Sequence, residues 1–293
     1  MCSIAGLDGL KETIDIIEIS KKVAIANKES IISGWDIIKK KIKKYKTIFI
    51  PIDSEHFSIW SLFNNKLQSK NIEKIYITAS GGPFFKFPLK NFKNISPKIA
   101  LKHPKWKMGK KITIDSSTLM NKVFEVIEAK KIFNLDYNKI DILIHPNSYV
   151  HSIIKYNNGI IKLLIHETSM KIPIFNSLFY ETNKTINSKK LDLKKINYLD
   201  FSKIDTKRFP SIKLLKLLPK KNSLFETVIV SANDELVNLF LEQKINYTDI
   251  NRYLVRILKM KQFQKYKRIQ AKTLAEIQDL NKVVRFKIRS LSV

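Results

Sequence analysis

The first 80 residues alternate short apolar runs with helical periodicity, and that alternation restricts the chain to a layered α/β arrangement. Leu7 to Ile19 repeats its apolar residues at helical spacing, Lys22 to Ala26 is a short apolar strand, and Ser30 to Ile42 reads as a helix. Thr47 to Ile52 is a second strand ending at Asp53, a helix from about His56 to Phe63 follows, and Ile72 to Thr78 is a third strand. That strand runs into the turn Ser80-Gly81-Gly82-Pro83. In sheets of this kind functional residues gather at the carboxyl ends of strands. Here those ends are Asn27-Lys28-Glu29, Asp53-Ser54-Glu55 and Ser80-Gly81-Gly82.

The middle of the chain reads differently. Residues 84 to 111 are basic and weakly periodic, which predicts a long loop able to act as a lid. Asp115 and Ser116 are expected to open a helix running to about Phe133. Ile140 to Ile144 reads as a strand, and Tyr149 to Tyr156 with Ile160 to His166 flank Asn157-Asn158-Gly159 as a β-hairpin. Beyond about residue 205 the pattern turns helical, over Phe209 to Leu218, Leu224 to Leu241, Thr248 to Leu258 and Lys272 to Leu280, which predicts a small helical domain. No internal repeat and no long linker interrupts the 293 residues.

Charge is the conspicuous compositional feature. Fifty-four Lys and Arg against 26 Asp and Glu give a formal net charge of +28. A surplus of this size usually points to nucleic acid or an anionic membrane. Here the lysines are spread along the whole chain beside heavy use of Ile and Asn, so the bias reads as compositional. The densest basic-aromatic run is Lys259, Lys261, Lys265, Lys267 and Arg268 with Phe263 and Tyr266, and a solvated helix face with two buried aromatics accounts for it. We therefore expect neither a nucleic-acid nor a membrane partner, while the surplus favours small anionic substrates. No apolar stretch is long enough for a membrane span, and Met1 to Glu12 lacks the pattern of a signal peptide. The single cysteine, Cys2, excludes an intramolecular disulfide.

Three constellations carry chemistry. In Asp53-Ser54-Glu55, residues i and i+2 of an extended segment point the same way, so two hard oxygen ligands face one spot and suit Mg²⁺ or Mn²⁺. A helix N-cap is the alternative reading. In the second, Asn121 and Glu125 share one helix face with Lys122 beside it, and Ser116 at a helix start would meet an anion. That set suits a phosphate cradle with Glu125 as a third carboxylate, or a capped surface helix. The third is the polar loop His103-Pro104-Lys105-Trp106-Lys107-Met108-Gly109-Lys110, whose Trp and Met suit a lid that expels water over a ligand, or a loop packed on the protein body. Lys28 can touch an anion, and Ser80-Gly81-Gly82 lets the backbone approach a phosphate. His145 and His151 read as structural histidines.

These segments occur in a fixed order: Ala26 to Ser30, Pro51 to His56, Ser80 to Phe84, His103 to Gly109, Asp115 to Glu125, Ile144 to Pro146 with Val150 to Ser152, and Ala232-Asn233-Asp234-Glu235. Over nearly its whole length the chain closely resembles 1-deoxy-D-xylulose 5-phosphate reductoisomerases. The resemblance implies an NADPH-dependent enzyme with Mg²⁺ or Mn²⁺ that converts a small phosphorylated ketose, 1-deoxy-D-xylulose 5-phosphate, to 2-C-methyl-D-erythritol 4-phosphate. It implies metal ligation by Asp53, Glu55 and Glu125. Substrate contacts fall on Lys28, Ser54, Glu55, Ser80, His103, Ser116, Asn121, Lys122 and Glu125, with the phosphate on Ser80, Ser116, Asn121 and Lys122. Lys28, Asp53, Glu55 and Glu125 are the implied catalytic residues. Trp106 and Met108 are the lid, and Asn27, Glu29 and Gly109 contact the cofactor.

The implied architecture is the end of a Rossmann-like dinucleotide-binding domain over residues 1–50, an α+β catalytic domain over 51–205 with its lid at about 103–111, and a helical domain over 206–293. A homodimer is implied, in a bacterial cytoplasm or a plastid-type organelle. The family opens on a Gly-rich strand-turn-helix, whereas nothing before Leu7 reads as G-x-G-x-x-G, so roughly a hundred family residues have no counterpart here. The alternative expectations are a remnant that binds metal and substrate without reducing, and a non-catalytic basic binding protein.

Overall fold

The computed structural model describes residues 1–63, 71–106, 108–179 and 181–292; Lys107 of the lid sequence lies outside them. After helix α1 (Leu10–Ile19), strand β1 (Lys22–Ile25) leads through α2 (Lys28–Tyr45) to β2 (Ile48–Pro51). The two strands pair in parallel, with Val23 opposite Phe49, as their connection through a helix allows. Cys2 adds a bridge on the other side of β1, its N–H donating to Ala24 O at 2.8 Å. Asn27 caps α2 by accepting from Ser30 N–H at 3.0 Å.

Helix α3 (Ser54–Leu62) follows β2, and β3 (Ile72–Ala79) enters a second sheet. This divides the strands of the first 80 residues, which the sequence suggested would share one sheet. The second sheet has the order β4-β3-β5-β6, with β4 (Ile140–Ile144) parallel to β3, and β5 (Val150–Tyr156) and β6 (Ile161–Ile165) antiparallel. The hairpin turn falls at the expected Asn-Asn-Gly, where Gly159 takes φ +85°.

Residues 84–100 do not form a loose loop. Phe84 is buried, and its ring stands 5.1 Å from Tyr247 and 5.3 Å from Phe87. Arg208 donates to the main-chain oxygens of Phe84 and Phe87, and the short helix α4 (Pro97–Ala100) completes the anchor. Aromatics outweigh the lysines here, so this stretch packs on the body of the protein.

The helix expected to open at Asp115 is two helices. α5 (Lys110–Ser117) starts behind Gly109, and α6 (Met120–Phe133) starts after Leu119 at φ +58°. Ser116 therefore lies in the last turn of α5, not at a helix start. The Ser-Ser-Thr run bonds backward: Ser117 Oγ donates to Ile114 O at 2.7 Å and Thr118 Oγ1 to the same oxygen at 3.2 Å. These donations satisfy carbonyls and close α5, while Thr118 Oγ1 also accepts from Met120 N–H at 3.3 Å as α6 begins.

Helix α6 is the spine of the molecule. Val123, Phe124 and Ile127 belong to one core with α1, α2 and the tail helices α9 (Phe225–Leu241), α10 (Tyr247–Lys259) and α12 (Leu274–Ser292). Val126, Ala129 and Phe133 belong to a second core against β3, β4 and β5. α11 (Lys261–Gln264) adds the buried Phe263 to the first core, while α7 (Lys171–Phe179) and α8 (Leu193–Asn197) contribute no residue to either. A helix buried on both faces has no solvent side, so every polar residue on it needs a partner or a task.

Candidate active site

The carboxyl ends of β1, β2 and β3 deliver Lys28, Asp53 and Ser80 to one cavity of about 260 Å³, and α6 supplies Asn121, Lys122 and Glu125. Asp53 is the N-cap of α3, yet its side chain makes no cap bond; it pairs with Lys28. Ser54 and Glu55 lie in α3 and not in the extended segment the sequence suggested, so it is the start of a helix that turns Asp53 and Glu55 into the cavity. One carboxylate oxygen each from Asp53, Glu55 and Glu125 lies within 4.8 Å of the others. Oxygens on one six-coordinate Mg²⁺ lie at most about 4.2 Å apart, so a small closure suffices for a shared ion.

Two lysines sit among the three carboxylates. Lys28 Nζ bonds Asp53 and Asn121 Oδ1, the latter at 2.8 Å, and lies 3.6 Å from Glu125. Lys122 Nζ bonds Glu55 and reaches Glu125 Oε2 at 2.7 Å. Asn121 Nδ2 donates to Glu125 as well, and Ser54 Oγ to Glu55. Burial opposes the charge on Lys28, but the carboxylates of Asp53 and Glu125 outweigh it and hold the ammonium above its ordinary range. Burial likewise opposes ionisation of Asp53, and Lys28 reverses it, so Asp53 stays well below the usual carboxylate range. Glu125 is pushed up to about 8, first by burial and then by the charge of Glu55, with Lys122 opposing. Three acids around two ammoniums leave Glu125 short of positive charge, the deficit a divalent cation removes. The donor set therefore fits a hard dication.

The phosphate-cradle residues divide into two groups. His103 Nε2 lies 3.0 Å from Ser116 Oγ and 3.5 Å from Ser80 Oγ. Its Nδ1 accepts from the N–H groups of Lys105 and Trp106 at 3.1 and 2.9 Å, so the ring proton is on Nε2. Burial, with Lys122 adding to it, lowers His103 to about 4. Gly82 packs directly on this group: at φ +62°, a Cβ there would stand 2.9 Å from Ser116 O. Asn121 and Lys122 are turned instead toward the carboxylates, in the first turn of α6, the helix start that Ser116 does not occupy.

Trp106 and Met108 line the cavity. Gly109 caps α5 and borders a shallower depression with Lys102 and Trp106. Asn27 and Glu29 do not line the cavity: Asn27 Nδ2 holds Gly6 O at 2.8 Å, and Glu29 pairs with the partly exposed Lys111. Sequence reasoning missed His151, which also lines the cavity and stacks on His166 at 3.6 Å. It missed Glu128 too, although the i, i+3 spacing from Glu125 puts both on one helical face. His145 bonds Asp200 O at 2.8 Å and stacks on Phe201, away from the cavity.

The family model for 1-deoxy-D-xylulose 5-phosphate reductoisomerase matches residues 1–34, and two models of the reductoisomerase C-terminal domain match residues 49–133 and 165–287. The 1-deoxy-D-xylulose 5-phosphate reductoisomerase of Pelagibacter ubique (strain HTCC1062) is 60% identical over 293 residues, covering 100% of this chain and 75% of that relative. The chain belongs to the 1-deoxy-D-xylulose 5-phosphate reductoisomerase family. The reductoisomerase of Sulfurihydrogenibium sp. (strain YO3AOP1) is 43% identical, covering 90% of this chain and 69% of the relative. A DOX-P reductoisomerase crystallised with NADPH, fosmidomycin and magnesium superposes with a TM-score of 0.91 at 33% identity, over 99% of this chain and 74% of that one. The reductoisomerase of Zymomonas mobilis with NADPH gives 0.86 at 31%, over 100% and 74%. The α/β fold of this reductoisomerase chain is that of its relatives.

Proposed function

We propose that this chain acts as the reductoisomerase converting 1-deoxy-D-xylulose 5-phosphate to 2-C-methyl-D-erythritol 4-phosphate, with NADPH and Mg²⁺ or Mn²⁺, in the methylerythritol phosphate route to isoprenoids. The observation that carries the assignment of residues is the approach of Asp53, Glu55 and Glu125, from two separate stretches of chain, to within reach of one ion. Those residues would hold the metal. When bound, the metal supplies Lewis acidity for negative charge on the substrate oxygens while the carbon skeleton rearranges, and NADPH supplies hydride.

The protein's own groups do the positioning. Lys28, kept charged beside Asp53, faces the substrate oxygens and stabilises charge developing there. Lys122, which bonds Glu55 and Glu125, stands with Asn121 in the first turn of α6, where N–H groups and the dipole favour a phosphate. Ser80 and Ser116 offer hydroxyls and His103 its Nε2–H to the same phosphate, and Ser54 orients Glu55. Anchoring the remote phosphate fixes the reacting carbons near the metal. Trp106 and Met108 close over the substrate and exclude water. Asn27, Glu29 and Gly109 are the cofactor side of the site, with Gly109 lining the depression beside the lid.

We read residues 1–50 as the end of the dinucleotide-binding domain, 51–205 as the catalytic domain and 206–293 as the helical domain, whose helices α9, α10 and α12 share the core of α1 and α2. We infer a homodimer, joined at the outer edge of β6, where Ile161 and Leu163 are exposed on an unpaired strand edge. Among the described residues no helix is long and apolar enough to cross a membrane, and we assign the protein to the bacterial cytoplasm.

The test is NADPH oxidation by the chain with 1-deoxy-D-xylulose 5-phosphate and Mg²⁺ or Mn²⁺. Consumption that requires all three supports the reading. Binding of metal and substrate without NADPH consumption would leave only the remnant reading, and binding of neither would remove the assignment.

A further inference from the structure

We propose that His56 and Glu128 form a positioning pair that holds the three metal carboxylates in register, with Glu128 acting through His56 and not as a ligand. The proposal rests on the reading of Asp53, Glu55 and Glu125 as a cation site. Both residues are buried, at 0% and 1% exposure. His56 follows Glu55 in the first turn of α3, and Glu128 lies one turn beyond Glu125 on α6. His56 Nε2 stands 2.9 Å from the main-chain oxygen of Glu125, and its Nδ1 stands 3.2 Å from Glu128 Oε2. The two atoms meet at ion-pair distance, and among the described residues neither makes a hydrogen bond.

Proton placement follows from these contacts. A carbonyl oxygen only accepts, so Nε2 carries a proton. A bare Nδ1 against a carboxylate would set two buried acceptors face to face, which is strongly unfavourable. One proton therefore lies between Nδ1 and Oε2. The pair is neutral as a unit, whether written as imidazolium and carboxylate or as imidazole and carboxylic acid. This matters because Asp53 has a carboxylate oxygen within 4.8 Å of both partners. A neutral pair fastens α3 to α6 behind the site without adding a fourth negative charge to it.

A second metal site on Asp53, His56 and Glu128 is the competing reading, since their donor atoms also lie within 4.8 Å of one another. The cavity decides against it. Asp53, Glu55 and Glu125 line the cavity, whereas His56 and Glu128 do not, and Nδ1 would have to abandon Glu128 to reach an ion.

The experiment measures Mn²⁺ binding to the full chain by electron paramagnetic resonance of free Mn²⁺, without substrate, alongside thermal unfolding. Glu128→Ala is expected to weaken Mn²⁺ binding roughly 10- to 100-fold. Glu128→Gln, whose amide donates to Nδ1 of a neutral imidazole, should stay within about threefold of the parent. His56→Ala/Glu128→Ala should be no worse than either single change, because the two act as one unit. A folded Glu128→Ala protein with unchanged Mn²⁺ affinity would overturn the pair. So would Glu128→Gln binding as weakly as Glu128→Ala, which marks a ligand; this arm decides the matter should the alanine variant fail to fold. Glu125→Gln is the control: if it too leaves Mn²⁺ binding unchanged, the cation-site reading fails, a result distinct from failure of the pair alone.

Discussion

Glu125 is fully buried, accepts from Lys122 and Asn121, and is raised to about 8 by burial and by Glu55. Its replacement by Gln keeps the size and one of the two accepting oxygens but removes the charge that a cation needs. Because Lewis-acid stabilisation is worth several kcal/mol, Glu125→Gln should lower turnover by roughly a hundredfold or more, read from NADPH oxidation across a Mn²⁺ series. His103 makes a pH prediction with a definite sign. Its folded value of about 4 lies below the ordinary 6.5, so its contribution to stability is complete above the unfolded value and is lost as pH falls through the folded one. The imidazole should titrate near 4 in an NMR experiment on the unliganded protein. His103→Gln should flatten the fall in stability between pH 6.5 and 4, measured by urea unfolding.

At the level of elements, the site depends on how chain segments meet. The turn after β3 rests on the last turn of α5 through Gly82, where a Cβ would collide with backbone. Gly82→Ala should cost about 1–3 kcal/mol in urea unfolding, from a strained positive φ and a displaced Ser116, and should raise the substrate KM. Behind the lid, Lys111 near the start of α5 pairs with Glu29 of α2, with Asp115 at 3.0 Å, and with Asp234 of α9 at 3.0 Å. Asp234 is pushed up to about 6, by burial first, with Lys111 opposing and Glu29 and Asp115 adding to the rise. Removing this ammonium takes away the one cation that all three buried acids share, leaving Asp234 only the more distant Arg285 at 3.7 Å. Lys111→Met should therefore lower stability by about 3–5 kcal/mol in denaturant unfolding.

For the whole molecule, the two cores meet on α6, so helices far along the chain support residues near its beginning. The exposed apolar side chains do not scatter evenly: Ile160, Ile161 and Leu163 crowd the β6 edge, with Leu191, Leu193 and Tyr198 on the following segment. An unpaired apolar edge invites a second chain. Ile161→Lys with Leu163→Lys should shift the protein to monomer in sedimentation equilibrium. An unchanged mass would remove the inferred dimer from this face.

Strand positions, the Asn-Asn-Gly hairpin and the gathering of Lys28, Asp53 and Ser80 at strand ends were legible in the sequence, because period-2 runs and turn residues are local signals. The ordered motifs also carried the family. Other features depended on contacts distant in sequence. Whether Ser116 starts or ends a helix turned on which backbone groups its neighbours' hydroxyls could reach, and no local rule separates a hydroxyl that caps from one that bonds backward. The anchoring of Phe84 against Tyr247, the split into two sheets, and the meeting of His56 with Glu128 across α3 and α6 came from tertiary packing alone. Sequence determined the family and the order of its motifs; the fold decided which of their residues face one another, since side-chain neighbours across elements are set by the shared core and not by spacing along the chain.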